Sequence, residues 1–369
     1  MPDNNEMQQA GCRLVRLGEV VDNVNDFFDR NSEESIRFVA GEHIDEGDLR
    51  VRRFGLTSDD LVPPTFNRLF KAGDVLFHSR NIRKLAQPDF DGLTGEKLFV
   101  LRAKDEAQML QGFLPFLLQS DHFAQYVRER WAGSTNKFLN KTPLMAYEFA
   151  LPPMESQQRA LALLTAGWSV VDQLRAAIDV LPSVRHSMEA RLLSIGGAPR
   201  QKVGNIAKFT SGKGIRVSDL PKSPSDASPI PVFGGNGISG YTNSVMDGAA
   251  VPTVVIGRVG QFCGVTSLTP GPCWITDNAL YPVQLSPDIS PAFLAICLRA
   301  SNLNRSKLGE YLPLITQEVV HKIEIPVPPP TVQTAVIEEF AQIESTETSL
   351  MNRLNSTRSI VMKMASRML

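Results

Sequence analysis

The residues that could do chemistry are few, and their spacing is wrong for it. A metal-dependent nuclease needs a (D/E)xK arrangement, in which carboxylates hold Mg²⁺ and the lysine steadies developing charge. None of the thirteen lysines has Asp or Glu two positions before it. A methyltransferase acting on adenine would carry an (N/D/S)PP(Y/F/W) loop to clamp a flipped base. The Pro-Pro sites read "VPPT" (62–65), "LPPM" (151–154) and "VPPP" (327–330), and none fits. "SGKG" (211–214) lacks the GxxxxGK(S/T) spacing of a phosphate loop, and neither HExxH nor GxSxG occurs. Cys12, Cys263, Cys273 and Cys297 form no CxxC pair, and His43, His78 and His122 stand alone. The expectation is a chain with no catalytic residues and no metal site, in a reducing, cytoplasmic setting.

What remains is an inventory for binding. "HSRNIRKLAQ" (78–87) places Arg80, Asn81, Arg83 and Lys84 at the end of a β-rich run. Arginine pairs with guanine and asparagine with adenine in the major groove, while lysine mostly holds phosphate. "STNKFLNK" (134–141) adds Asn136, Lys137, Asn140 and Lys141, and "LRVRRFG" (49–55) adds Arg50, Arg52 and Arg53. Later, "SGKGIR" (211–216) offers Lys213 and Arg216 on a glycine-flanked loop. "VFGGNGISGYTN" (232–243) puts Asn236 and Tyr241 near turn tips, and Arg258 and Asn278 complete a polar rim. Each feature is weak alone, since a charged loop is usually a solvated one. The net charge of −1 supplies no global basic field, so DNA contact would come from local patches. Residues 1–153 carry 19 basic and 23 acidic side chains, whereas residues 197–327 carry 11 and 8.

These residues sit on elements that recur. "LPPMESQQRALALL" (151–164) and "VPPPTVQTAVIEEF" (327–340) match at a constant offset of 176, with Gln157 opposite Gln333, and the register holds to Leu193 and Leu369. Each Pro-Pro stop follows a block of short strands. "VRLGEVVD" (15–22) corresponds to "QKVGNIAK" (201–208), "GDVLFHSR" (73–80) to "PTVVIGRVG" (252–260), and "EKLFVLRAK" (96–104) to "DNALYPVQL" (277–285). Helical segments follow at 114–130 and 291–308. The order of elements reads as a duplication.

The two Pro-led segments are helices by period. Leu164, Trp168, Val171, Leu174, Ile178 and Leu181, continued by Val184 and Met188, form a seam on the first. Phe340, Ile343, Leu350, Leu354 and Val361 form one on the second. Forty residues at ~1.5 Å each give rods of roughly 60 Å. Such a stripe is best buried by pairing the two rods antiparallel, as a spacer between the blocks. Thr331 is positioned to cap the second rod, Gly196-Gly197 to stop the first, and Pro182 to kink or break it. The predicted architecture is α+β. Residues 1–153 and 197–327 form two mixed α/β recognition domains in tandem, followed by spacer helices at 154–196 and 328–369.

In its order of motifs the chain resembles the specificity subunits of Type I restriction–modification systems, over roughly residues 13–369. The likeness is carried by "RFVAGEHIDEGDLRVRRFG", "FKAGDVLFHSRNIRKLAQPDFDGLTGEKLFVLR", "FLPFLLQSDHF" and "YEFALPPMESQQR" in the first half. In the second half it is carried by "FTSGKGIRVSDL", "IPVFGGNGISGYT", "VVIGRVGQFCG", "ITDNALYPV" and "IEIPVPPPTVQTAV". The resemblance implies two target-recognition domains that each read one half of a split duplex DNA site. It also implies an antiparallel coiled coil that fixes the gap and docks two methyltransferase subunits, with restriction motor-nuclease subunits as further partners. S-adenosylmethionine, Mg and ATP would reside on those partners, with no cofactor in this chain and no membrane. The first block departs from the second in carrying "NVNDFFDRNSEES" (23–35) in place of the "SGKGI" loop. A specificity subunit of a related fused nuclease–methyltransferase or phage-defence system fits the same motifs, as does a coiled-coil scaffold with two non-DNA recognition blocks.

Overall fold

The computed structural model describes residues 11–28, 35–58, 62, 65–247, 251–303 and 313–368. Pro63, Pro64, residues 29–34 of the "NVNDFFDRNSEES" segment and the end of the 291–308 segment lie outside the described residues. Contacts gather into two compact units, Met1–Arg175 with Asn352–Leu369, and Ala176–Met351.

The first unit opens with β1 (Arg13–Arg16), the single turn α1 (Leu17–Val20) and β2 (Val21–Asn23). Then come β3 (Arg37–Val39), β4 (Gly55–Leu56), β5 (Arg68–Phe70), β6 (Val75–His78), β7 (Leu85–Ala86), β8 (Gly92–Thr94) and β9 (Leu98–Ala103). One antiparallel sheet has the order β2-β9-β6-β7. A second has β4-β3-β8-β5, with β3 parallel to β8. Helices α2 (Leu114–Leu118) and α3 (Asp121–Arg130) replace the continuous helix expected over 114–130. Ser120 breaks it, because its side chain accepts the Phe123 N–H as the cap of α3. α4 (Lys141–Met145) and β10 (Glu148–Leu151), paired with β1, lead into α5 (Met154–Leu193).

The second unit repeats this plan: β11 (Arg200–Lys202), α6 (Val203–Ile206), β12 (Ala207–Ser211), β13 (Ile230–Gly234) and β14 (Gly237–Thr242). β15 (Val254–Gly257), β16 (Thr266–Leu268), β17 (Trp274–Ile275), β18 (Ala279–Leu285), α7 (Pro291–Ala300), α8 (Gln317–His321), β19 (Glu324–Pro326) and α9 (Pro330–Met368) follow. Its antiparallel sheet is β12-β18-β15-β16, its mixed sheet β14-β13-β17 with β13 parallel to β17, and β11 pairs with β19. Strand for strand, β6 and β15 hold the same place in their sheets. The duplication extends to detail. Leu17 N–H donates to the Tyr147 carbonyl and Val203 N–H to that of Ile323, both at 2.8 Å. Gly18 packs on Met145, and Gly204 on His321.

Each block buries an apolar centre. In the first, Val39, Ile44, Phe70, Leu76 and Val100 pack between the sheets, and Tyr147 meets Phe123 edge-on at 4.9 Å. In the second, Phe209, Ile256 and Leu280 pack on Phe293 and Leu294 of α7. Burying each such side chain contributes about 1.5–3 kcal/mol, which outweighs the weak helix and strand preferences of such short elements.

α5 and α9 are continuous over 40 and 39 residues. Pro182 lies inside α5 without ending it, contrary to a break, and is itself exposed. α9 begins at Pro330, one residue before the expected cap Thr331, and the Pro329 carbonyl accepts from Val332 and Gln333. In the first unit Leu164, Trp168, Val171 and Leu174 are buried, as are Leu354 and Val361. Gly167 brings the helices close: a Cβ there would lie 2.7 Å from Val361 Cγ2. In the second unit Arg185 pairs with Glu344 (3.6 Å) and Glu347 (3.2 Å), and Arg191 with Glu339 at 2.6 Å. In the second unit the contacts rise along α5 as they fall along α9, the signature of antiparallel pairing. Phe340 is buried, but Ile178, Leu181, Ile343 and Leu350 are only half-buried, and Val184 is 40% exposed and leaves the seam.

Candidate nucleic-acid interface

In the second block, glycines let backbones close up beneath a polar tip. A Cβ at Gly212 would collide with the carbonyls of Ile275 and Thr276, and one at Gly257 would lie 2.5 Å from the Gly235 oxygen. Lys213 N–H donates to Ile275 (2.9 Å), Trp274 Nε1 to the Lys213 carbonyl (3.2 Å), and Arg258 N–H to Asn278 (2.9 Å). These bonds gather Lys213, Arg258, Asp277 and Asn278 at one sheet end. Lys213, Asp277 and Asn278 are exposed there, and the Arg258 guanidinium reaches the Asp277 carbonyl at 3.5 Å. Asn236 is exposed on the two-residue turn between β13 and β14. Arg216 stands apart on a loop, 3.6 Å from Asp219. Tyr241 is not at a tip. It lies within β14 opposite Pro231, half-buried, at the far end of the hairpin from its turn.

The first block builds the corresponding tip from different residues. Arg80 and Arg83 are exposed in the β6–β7 turn, and their guanidinium groups make no hydrogen bond or ion pair among the described residues. Asn81 and Lys84 are already engaged: Asn81 Nδ2 donates to Glu46 (2.7 Å), and Lys84 Nζ to the Gly41 carbonyl (2.7 Å). Asn136 and Lys137 are exposed on a separate hairpin closed by Ala132 and Phe138, where the Lys137 amine lies 5.8 Å from the Trp131 ring centre.

The strand ends β6 and β15 are equivalent, but Arg80 and Arg258 are not in register. Ser79 N–H donates to Lys97 just as Arg258 N–H donates to Asn278, each at 2.9 Å. Arg258 therefore takes the place of Ser79, and Arg80 lies one residue further on. Lys97 stands where Asn278 does, and Glu96 where Asp277 does. Lys97 escaped the sequence inventory, although "EKLF" and "DNAL" align there. A cleft of about 940 Å³ opens beside Lys97, walled by Phe38, Phe66, His43 and His78. Burial, followed by the charges of Lys84, Lys97 and Arg80, holds the His78 imidazole below its ordinary pKa. His78 Nδ1 accepts the Arg80 N–H (3.1 Å), which fixes the proton on Nε2. The tips thus offer cationic and amide donors suited to phosphates and base edges. Among the described residues no group of three or more His, Cys, Asp or Glu could hold a metal ion, and no helix is long and apolar enough to cross a membrane.

No protein-family model matches the chain. A chain from a structure on complex assembly and conformational transition of the type I R-M system superposes with a TM-score of 0.61. It is 19% identical, and the match covers 97% of this chain and 96% of that one. The type-I restriction-modification system S subunit from M. genitalium superposes with a TM-score of 0.60 at 14% identity, over 100% and 98% of the two chains. The fold is that of type I specificity subunits: tandem sheet domains and two long paired helices. In sequence, the chain is similar to the specificity subunit of the type I restriction enzyme EcoprrI of Escherichia coli, 32% identical over 107 residues. That stretch is 29% of this chain and spans only 26% of the relative's length.

Proposed function

We propose that this chain is a DNA sequence-recognition subunit that reads a bipartite duplex target and performs no chemistry itself. It would direct methyltransferase subunits, two by the symmetry of the duplication, and restriction motor-nuclease subunits to that site. S-adenosylmethionine, Mg and ATP would be bound by those partners, within the cytoplasm. The observation that carries this reading is the repetition of one sheet-end tip, once with Arg80, Arg83 and Lys97 and once with Lys213, Arg258 and Asn278. Two topologically equal but chemically different tips are what a target with two dissimilar halves requires.

The test is to co-express the chain with methyltransferase subunits and map modified adenines genome-wide. A split motif with a fixed gap is the expected result, together with sequence-dependent duplex binding improved by the partner. Equal binding of every duplex, with no partner effect, would favour a scaffold instead.

A further inference from the structure

The segment Asp45–Arg53 lies between the β6–β7 tip and the long helices of the first unit. On the helix side, Asp172 of α5 receives both Arg50 (3.1 Å) and Arg52 (2.5 Å), and Arg175 of α5 faces Asp45 at 3.6 Å. Arg52 is also gripped from within the block by Asp48, which is 2% exposed, at 2.6 Å. From α9, Arg358 packs on Gly47 and donates to the Glu46 carbonyl at 3.5 Å. On the tip side, the Glu46 carboxylate accepts from Asn81 (2.7 Å), and Gly47 N–H donates to the Arg83 carbonyl (2.8 Å). The same two residues, Glu46 and Gly47, therefore touch the helix pair with one face and the tip with the other.

The second unit holds its tip differently. Among the described residues, the β15–β16 turn is pinned to its own block, by Gly260 N–H on Pro313 and Ile315 N–H on Arg258. Among the described residues, the ion pair from that block to α9 is Arg299–Glu344, which leaves from α7 and not from the tip.

We propose that Asp172 and Arg358 are positioning residues for the first half-site. Through Glu46 and Gly47 they set where Arg80, Asn81 and Arg83 stand, so that reading of one half-site depends on the spacer helices and reading of the other does not. This rests on the DNA-reading function proposed above. Charge-assisted bonds of this kind hold a loop within a fraction of an ångström, the tolerance that base-edge contacts need.

The experiment uses the full chain with its methyltransferase subunits and four duplexes: cognate, either half-site scrambled, and both scrambled. Asp172→Asn keeps the shape and removes the charge that Arg50 and Arg52 share. The expected result is a loss of about tenfold in discrimination at one half-site, with discrimination at the other unchanged and recovery in Asp172→Glu. Faster amide hydrogen exchange in residues 80–84, with residues 258–264 unchanged, is expected in the chain without DNA. Equal weakening on all four duplexes, or unchanged exchange at 80–84, would overturn the proposal. A wild-type complex that discriminates at neither half-site would defeat the DNA-reading function itself, a different failure from a discriminating wild type that Asp172→Asn leaves intact.

Discussion

Gln157 and Gln333 make the same three hydrogen bonds in the two halves of the chain. Each Nε2 donates to the first proline of its Pro-Pro stop, Pro152 or Pro328, at 2.9 Å, and to a loop carbonyl, Gln108 at 2.9 Å or Asp288 at 2.7 Å. Each Oε1 accepts a backbone N–H from the same loop, Leu110 at 3.0 Å or Ser290 at 2.9 Å. With exposures of 0% and 2%, these amides weld the start of each long helix to the body of its block.

Gln157→Leu should leave those three backbone groups unpaired in a dry site and cost about 3 kcal/mol. Gln157→Glu should do no better, since a carboxylate oxygen would face two carbonyls. Urea unfolding of both variants would check this, and midpoints unchanged from wild type would contradict it.

Gly167→Ala should destabilise the helix pair although alanine is the better helix former, a preference of about 1 kcal/mol. The new Cβ meets a branched, stiff Val361 at 2.7 Å, and overpacking of this kind costs about 1–3 kcal/mol. Adding Val361→Ala should relieve the clash, so thermal unfolding of the double variant should lie above that of Gly167→Ala alone.

Lys97→Ala and Arg258→Ala should each weaken binding at a different half-site in the methyltransferase complex. If Lys97 holds phosphate, its loss reduces the salt slope of binding by about one, whereas loss of a base contact relaxes specificity by about 1–3 kcal/mol at one position. Arg80→Ala should act on the same half-site as Lys97→Ala. Binding isotherms at several salt concentrations separate these outcomes.

His78 ties stability to acid. Its folded pKa lies below the ordinary 6.5, through burial first and neighbouring cations second. The unfolded chain therefore binds more protons between the lowered value and pH 6.5. Stability is full above about pH 6.5 and is lost as pH falls through the folded pKa. His122, lowered by burial, adds in the same direction. Denaturation midpoints measured from pH 8 to 5 should fall below pH 6.5, and His78→Gln should flatten that slope.

The sequence by itself determined the plan of this protein. The 176-residue offset, the Pro-Pro stops, the 3–4 spacing of the long helices and the alternation in "GDVLF" and "EKLFVL" are local signals. They follow from side-chain period and backbone restriction, and the strands and helices stand where those signals put them. Tertiary structure decided what local signals do not encode. Which strands pair, and in what register, depends on contacts far apart in sequence. For that reason Arg258 is the equivalent of Ser79 and not of Arg80, and Lys97 that of Asn278. Burial decided that Asn81 and Lys84 are tied to Glu46 and Gly41 while Arg80 and Arg83 stand free among the described residues, and that Tyr241 packs along a strand. Charge pairs across the fold, Arg52 to Asp172 above all, join segments 120 residues apart, and no period in either segment announces them.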